Sequence, residues 1–319
     1  MNRKKILVTG GAGNIGSALV NKLITDKDNY VVVVDNLSTG DSEKLPKSGV
    51  HDNFKFIKAD VNNYQHLSPI MYSNHFDYVF HFAAVVGVQR TQLHPILVLD
   101  DIDGIKNILS LSKNCGVKHV YFSSSSEVYG EPVEIPQNEY KTPLNSRVPY
   151  AVVKNVGECF FRSYWQEYHL PYTIFRFFNT YGPNQSTDFV IPKFLANAMK
   201  NETISIYGEG TQTRTFTYVD DTIDTIINIF NKHLLKNDVI NIGSDKLMTV
   251  LDLAKFIIQI TSSKSQIAHL PPLKEGDMTR RQPDNSKMKE ILNRELKPLE
   301  EGVKILMNDP LFLKLTGIK

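Results

Sequence analysis

The sequence predicts an α/β fold, a doubly wound parallel sheet followed by a smaller mixed α/β lobe. Three observations carry that prediction. From Lys4 to about Tyr121, short β-branched runs alternate with longer segments of helical length or spacing. A glycine-rich turn, Thr9-Gly10-Gly11-Ala12-Gly13-Asn14-Ile15-Gly16, sits between the first such run and the first such segment. After Arg176 the chain turns irregular and is punctuated by Tyr181-Gly182-Pro183-Asn184 and Tyr207-Gly208-Glu209-Gly210.

Ile6-Leu7-Val8, Val31 to Val34, Phe54 to Ile57, Tyr78-Val79-Phe80 and Val120-Tyr121-Phe122 are nearly continuous apolar runs, as expected of strands covered on both faces. Between them, Ile15 to Ile24, Tyr64 to Met71 and Pro95 to Asn114 read as crossover helices. Beyond Arg176, helical stretches are expected near 189–200, 220–232, 249–261 and 285–292, and the tail after Asp309 carries no pattern.

With 319 residues, the chain has room for about two domains of about 150 residues each. Hydrophobic residues at 41% and charged residues at 22% describe an ordinary globular protein and leave no case for disorder or a fibrous repeat. The 36 basic and 34 acidic side chains are dispersed and leave a net charge of +2, so no nucleic-acid surface is expected, though small anions remain possible ligands. No apolar stretch approaches the roughly 20 residues of a membrane span, and Met1 to Lys5 runs into a strand with no signal-peptide core; no membrane partner and a cytoplasmic location are expected. Cys115 and Cys159 are too few for a disulfide framework and read as buried free thiols, and nine scattered histidines give no metal site.

Gly10, Gly13 and Gly16, three apart, let the chain turn tightly and bring backbone N–H groups and a helix N-terminus against a pyrophosphate; a tight turn without ligand is the alternative. Asp35 ends the second strand about twenty residues on, where a carboxylate accepts from adenosine ribose hydroxyls or merely caps the loop. With no arginine in the following Asn36-Leu37-Ser38-Thr39-Gly40, NAD is favoured over NADP. Asp60-Val61 closes the third strand and either reaches the adenine amino group or only turns the chain, and Ala83-Ala84 offers small side chains where a dinucleotide lies close.

Tyr150 and Lys154 lie four apart after Pro149 and so project from one helix face. A phenol with a reference pKa of about 10 is a poor base at neutral pH, but a nearby ammonium and a cationic nicotinamide favour its phenolate. Ser123-Ser124-Ser125-Ser126-Glu127-Val128-Tyr129-Gly130 follows the fifth strand, at the sheet edge where ligands bind in such folds.

Together these motifs resemble the extended short-chain dehydrogenase/reductase family, specifically its nucleotide-sugar epimerases, dehydratases and decarboxylases, over nearly the whole chain. The resemblance implies a Rossmann domain for NAD over residues 1–176, with a return of about 213–245, and a nucleotide-sugar lobe over 177–319. It implies Ser125 as the catalytic hydroxyl, Tyr150 as base, Lys154 holding ribose and phenolate, and Ser126 at the substrate. Asn179, in Arg176-Phe177-Phe178-Asn179, is implied at the diphosphate, as are Arg214, in Gln212-Thr213-Arg214, and Arg281, in the segment from Glu275-Gly276-Asp277 to Asp284; the alternative for each arginine is a surface ion pair. It further implies oxidation at the sugar C4, a 4-keto intermediate, and a homodimer through a four-helix interface built on the helices of Pro95 to Asn114 and Tyr150 to Tyr168.

Glu127 separates the subclasses: simple 4-epimerases usually carry a smaller, non-acidic residue there, whereas dehydratases and uronate decarboxylases carry Glu. The run from Ser125 to Gly130 looks most like the UDP-glucuronate decarboxylases, with UDP-sugar 4-epimerases and nucleotide-sugar 4,6-dehydratases as alternatives and an NAD-sensing scaffold as the non-enzyme alternative. Two features depart from that subclass: the loop from Ala84 to Arg90 differs, and Asp101 stands where the family usually has a structural Asn. Arg90 is either a receiver of a substrate carboxylate or a solvated loop arginine.

Overall fold

The computed structural model describes residues 3–47, 49–272 and 278–318. Met1, Asn2 and Glu275-Gly276-Asp277, on which the sequence reading drew, lie outside them.

The first half alternates as predicted: β1 (Lys4–Thr9), α1 (Asn14–Leu23), β2 (Asn29–Asp35), β3 (Phe54–Lys58), α2 (Tyr64–Asn74), β4 (Tyr78–His81), α3 (Val88–Leu93), α4 (Pro95–Leu99), α5 (Asp101–Asn114), β5 (His119–Ser125) and α6 (Pro149–Tyr168). Then come β6 (Tyr172–Phe177), β7 (Thr180–Tyr181), α7 (Val190–Met199), β8 (Ile204–Tyr207), β9 (Thr213–Thr215), β10 (Thr217–Tyr218), α8 (Val219–Asn231) and β11 (Asp238–Ile242). The chain ends with β12 (Leu247–Thr249), α9 (Val250–Ile260), β13 (Ile267–Leu270), α10 (Ser286–Leu292), α11 (Leu299–Met307) and α12 (Pro310–Thr316).

The central sheet has seven strands in the order β11-β6-β5-β4-β1-β2-β3, all parallel. Strand order reverses at β1 beside β4, which opens a crevice at their carboxyl ends. Alternate residues of β1 enter opposite layers, Ile6 and Val8 packing with Leu19 and Phe230 while Leu7 packs with Val32, Leu67 and Ile108. That two-sided burial is why the strand sequences lack a polar face.

Four expectations need correction. β6 and β11 were not foreseen as strands, because Arg176 interrupts the apolar run of one and Asn241 that of the other; both side chains are buried in a polar network. The single helix expected over Pro95 to Asn114 breaks at Asp100, where Asp101 turns inward and accepts from the Val85 N–H at 2.7 Å. The patternless tail forms α12, capped by Asp309, which accepts from the Phe312 N–H, and anchored by buried Phe312. Neither thiol is fully buried, Cys115 being half-buried and Cys159 exposed on α6. Among the described residues no helix is long and apolar enough to cross a membrane.

Candidate active site

One cleft of about 390 Å³ opens at the crevice and collects nearly every residue singled out from the sequence. Its floor begins at the β1–α1 turn. Gly10 sits at φ +67°, and a Cβ there would lie 2.5 Å from the Ala83 nitrogen. A Cβ on Gly16 would collide with the Gly10 carbonyl oxygen. Only glycine lets strand, turn and helix approach this closely. Gly13 caps α1 without a side-chain hydrogen bond, and the first turn of the helix has no acidic residue, so its N–H groups and positive end face the cleft unopposed. The Asn14 Oδ1 is buried there without a hydrogen-bond partner, and Ile15 lines the same wall.

Asp35 is braced across the turn, its Oδ2 accepting from the Ala12 N–H at 2.9 Å and its Oδ1 from the Leu37 N–H at 2.8 Å. It thus caps its loop and still lines the cleft beside Asn36. Asp60 accepts from the Asn62 N–H at 2.9 Å, next to Val61, and Ala83 and Ala84 face them. Lys44, which the sequence reading missed, joins the Asp35 end; burial lowers its ammonium pKa, against the pull of Asp41 and Asp35. A glycine turn with unopposed N–H groups, an orphaned Asn14 oxygen and a carboxylate at the end of β2 together fit a dinucleotide.

The other end of the cleft holds the reactive side chains. β5 ends at Ser125, whose Oγ accepts from the Glu127 N–H at 3.2 Å and so starts a tight helical turn over Ser126–Tyr129. Pro149, at the first position of α6, sets the helix that carries Tyr150 and, one turn on, Lys154. Lys154 Nζ donates to Ser123 Oγ at 3.4 Å and stands 5.7 Å from the Tyr150 ring centroid. Burial lowers the ammonium to a pKa of about 8 against the pull of Asp101.

Tyr150 departs from expectation. Burial and the Glu127 charge raise the phenol above its ordinary value, and the Ser125 hydrogen bond and Arg281 only partly offset them. Burial thus outweighs the neighbours that favour the phenolate.

Of the three arginines, Arg281 stands nearest the chemistry. It is buried, its Nη1 lies 3.4 Å from Glu127 Oε1, and its Nε has no hydrogen-bond partner. Arg90 lines the cleft half-buried, with Nη2 paired to Asp188 at 3.2 Å and Nη1 donating to the Val86 carbonyl. Arg214 is buried on β9, donates to the Thr213 carbonyl at 2.8 Å and does not line the cleft. Asn179 does, at φ +24°, its side chain donating to the Thr215 carbonyl at 3.0 Å. Asp101, seen in the sequence only as an exchanged Asn, lines the cleft and accepts from the Val85 N–H at 2.7 Å.

Residues 6–243 match the model of the NAD dependent epimerase/dehydratase family. The chain is 34% identical over 310 residues to UDP-glucuronic acid decarboxylase 1 of Danio rerio, covering 95% of this chain and 71% of that one. The UDP-glucose 4-epimerase of Thermotoga maritima, solved with UDP-glucose, superimposes with a TM-score of 0.88 at 33% identity, over 97% of this chain and 99% of that one. The UDP-glucuronic acid 4-epimerase of Bacillus cereus, solved with UDP-glucuronic acid and NAD, does so with a TM-score of 0.88 at 28% identity, over 98% and 99%.

Proposed function

We propose, from the premise that the chain belongs to the NAD dependent epimerase/dehydratase family and is an NAD-dependent nucleotide-sugar enzyme, that it oxidises a UDP-uronate at C4 and releases the C5 carboxylate as carbon dioxide. The observation that carries this reading is the Glu127–Arg281 pair at the cleft, with Arg281 Nε unpartnered. A buried guanidinium with an unused donor suits a sugar carboxylate, and Glu127 beside it makes loss of that second negative charge favourable. Arg90, already paired with Asp188, is the poorer receiver.

NAD, when bound, supplies the two-electron acceptor and a positive ring that favours the phenolate. Gly10, Gly13, Asn14, Ile15 and Gly16 would hold its pyrophosphate, Asp35 and Asn36 its ribose, Asp60 and Val61 its adenine, and Ala83, Ala84, Tyr150 and Lys154 its other half. Tyr150 takes the C4 hydroxyl proton, and Ser125 holds that oxygen through its own hydroxyl. Once C4 is a carbonyl, the C5 carboxylate is that of a β-keto acid. The C5–carboxylate bond breaks, its electron pair passes into the C4 carbonyl as an enolate, and the hydroxyls of Ser125 and Tyr150 stabilise that oxygen. A proton from water then closes C5, and Tyr150 returns its proton to the C4 oxygen as C4 regains from the bound cofactor the two electrons it gave. Ser126 and Asn179 serve the nucleotide sugar at the cleft, with Arg214 on β9 as a further candidate for its diphosphate. Residues 1–176 with the return of about 213–245 hold the cofactor, and 177–319 the sugar nucleotide.

Product mass tests this. Incubated with UDP-glucuronate, the enzyme should release carbon dioxide, and Glu127→Gln should slow that release about a hundredfold while NAD binding stays unchanged. Unchanged mass with inverted C4 would favour the second reading, a 4-epimerase, which the TM-score of 0.88 to two 4-epimerases supports.

The chain is read as a cytoplasmic homodimer through a four-helix interface built on the stretch from Pro95 to Asn114, which is α4 and α5, and on that from Tyr150 to Tyr168 in α6. Ile96 and Leu99 on α4, with Val152 on α6, are exposed apolar residues that support it. Sedimentation equilibrium should give twice the chain mass of 36.2 kDa, and a single-chain mass would exclude it.

A further inference from the structure

Glu127 and Arg281 come to the cleft from far apart in the chain, Glu127 in the tight turn Ser126–Tyr129 after β5 and Arg281 in the segment leading into α10. Their side chains meet at 3.4 Å, longer than a strong charge-assisted bond, so the pair does not fix its own geometry. The backbone around Arg281 is held from two sides. On one, the Thr213 N–H of β9 donates to the Thr279 carbonyl at 2.9 Å. On the other, the Gln137 N–H donates to the Gln282 carbonyl at 2.7 Å, and the Asp284 N–H to the Gln137 carbonyl at 2.8 Å.

Asn241 joins that second side to the turn of Glu127. It is fully buried on β11 and is not among the residues lining the cleft. Its Nδ2 donates to the Gln137 carbonyl at 2.8 Å and the Asp284 carbonyl at 3.3 Å, while its Oδ1 accepts from the Tyr129 hydroxyl at 2.8 Å. The Asn241 N–H donates to Glu139 Oε1 at 2.9 Å, which ties in the far end of the 137–139 stretch. Only a carboxamide offers two donors and an acceptor from one neutral side chain. In a dry interior each such bond is costly to leave unmade, so together they define how the turn and the segment stand to one another. The end of β11 seats the segment as well: Asn285 Nδ2 donates to the Gly243 carbonyl at 2.9 Å, and a Cβ on Gly243 would stand 3.0 Å from Pro283 Cγ.

We propose that Asn241 is a positioning residue for this site: from the interior it holds the turn of Glu127 and the segment of Arg281 in one arrangement, and so sets where Arg281 meets the carboxylate of a sugar. It acts through Tyr129, Gln137 and Asp284 and touches neither cofactor nor substrate. The inference rests on the role proposed above for Arg281.

Asn241→Ala removes these side-chain bonds, and two measurements read the consequence. The first is calorimetric titration of the NAD-loaded enzyme, with Tyr150→Phe present throughout so that neither sugar is consumed. Adding Asn241→Ala should raise the dissociation constant of UDP-glucuronate about tenfold, as for one lost bond to a charged group, and change that of UDP-glucose, which lacks the carboxylate, by less than about twofold. A merely structural role would weaken both sugars alike, and equal changes overturn the proposal. The second is hydrogen exchange read by mass spectrometry, which needs no sugar. The Gln137 and Asp284 amides should exchange roughly tenfold faster in Asn241→Ala while those of β1 and β2 keep their rates, and unmoved exchange overturns the proposal. If Asn241→Ala does not fold, Tyr129→Phe, which deletes one hydroxyl, should still cost about threefold in the preference for UDP-glucuronate, and an unmoved preference there overturns it. Arg281→Gln tells the two readings apart. It should erase that preference; if it does not, Arg281 is no carboxylate receiver, the proposed function fails, and the exchange result alone decides for or against Asn241.

Discussion

Tyr150→Phe should lower turnover of a nucleotide sugar about a thousandfold while NAD still binds, because the substitution removes one oxygen and leaves the ring in place. Without the hydroxyl, no group at that position can take the C4 proton. Lys154, about 8 in pKa and largely protonated at neutral pH, cannot replace it. The phenol is raised by burial and by Glu127, so the wild-type rate should climb with pH through the neutral range as the phenolate gains population. The Phe variant should lose that climb. Calorimetric titration with NAD, beside product mass at several pH values, checks both halves. A variant turning over within tenfold of wild type would remove Tyr150 from the chemistry.

The parts of this site that are local in sequence were legible in it. The glycine turn, Asp35 at the end of β2, the serines closing β5 and the Tyr150–Lys154 helix face each follow from short-range spacing, and all line one cleft. The long-range pairings were not. Glu127 and Arg281 are separated by 154 positions, and no periodicity relates them. Arg281, read as a diphosphate ligand, lines the cleft with Glu127 beside it, and Arg214 is not among the residues lining the cleft. Asp101 was visible only as an unexpected acid, since its bond to the Val85 N–H joins positions that no local pattern relates. Lys44 left no signal, because only the fold of the loop after β2 brings it to Asp35. β6 was obscured by its own arginine, whose partner lies on α6.

That partner carries the second large effect. Glu158 is fully buried and accepts from Arg176 Nε at 2.8 Å, Arg176 Nη2 at 2.7 Å, Ser124 Oγ at 2.6 Å and Arg162 Nη2 at 2.9 Å. Arg176 spends its Nη1 on the Tyr129 hydroxyl and the Glu139 carbonyl, and Tyr129 donates in turn to Asn241 on β11. The network joins β5, α6, β6 and β11 directly beneath Ser125 and one turn beyond Lys154. Glu158→Ala strands the Arg176 guanidinium in the interior, which should cost about 3–5 kcal/mol and lower the Tm by about 10 °C. Replacing both, as Glu158→Leu with Arg176→Met, should recover most of that loss, since the penalty comes from an unpaired charge rather than from the missing bridge. Burial alone would raise the Glu158 carboxyl, but Arg176 outweighs it and holds the group below the usual carboxylate range. Its contribution is therefore full above the ordinary Glu value and drains away as the pH falls through the depressed one. The stability gap between wild type and the double variant should narrow on acidification. A loss under about 1 kcal/mol in Glu158→Ala, measured by urea unfolding, would mean that Arg176 finds another counter-charge, with Glu139, whose carbonyl Arg176 already meets, the acid to test.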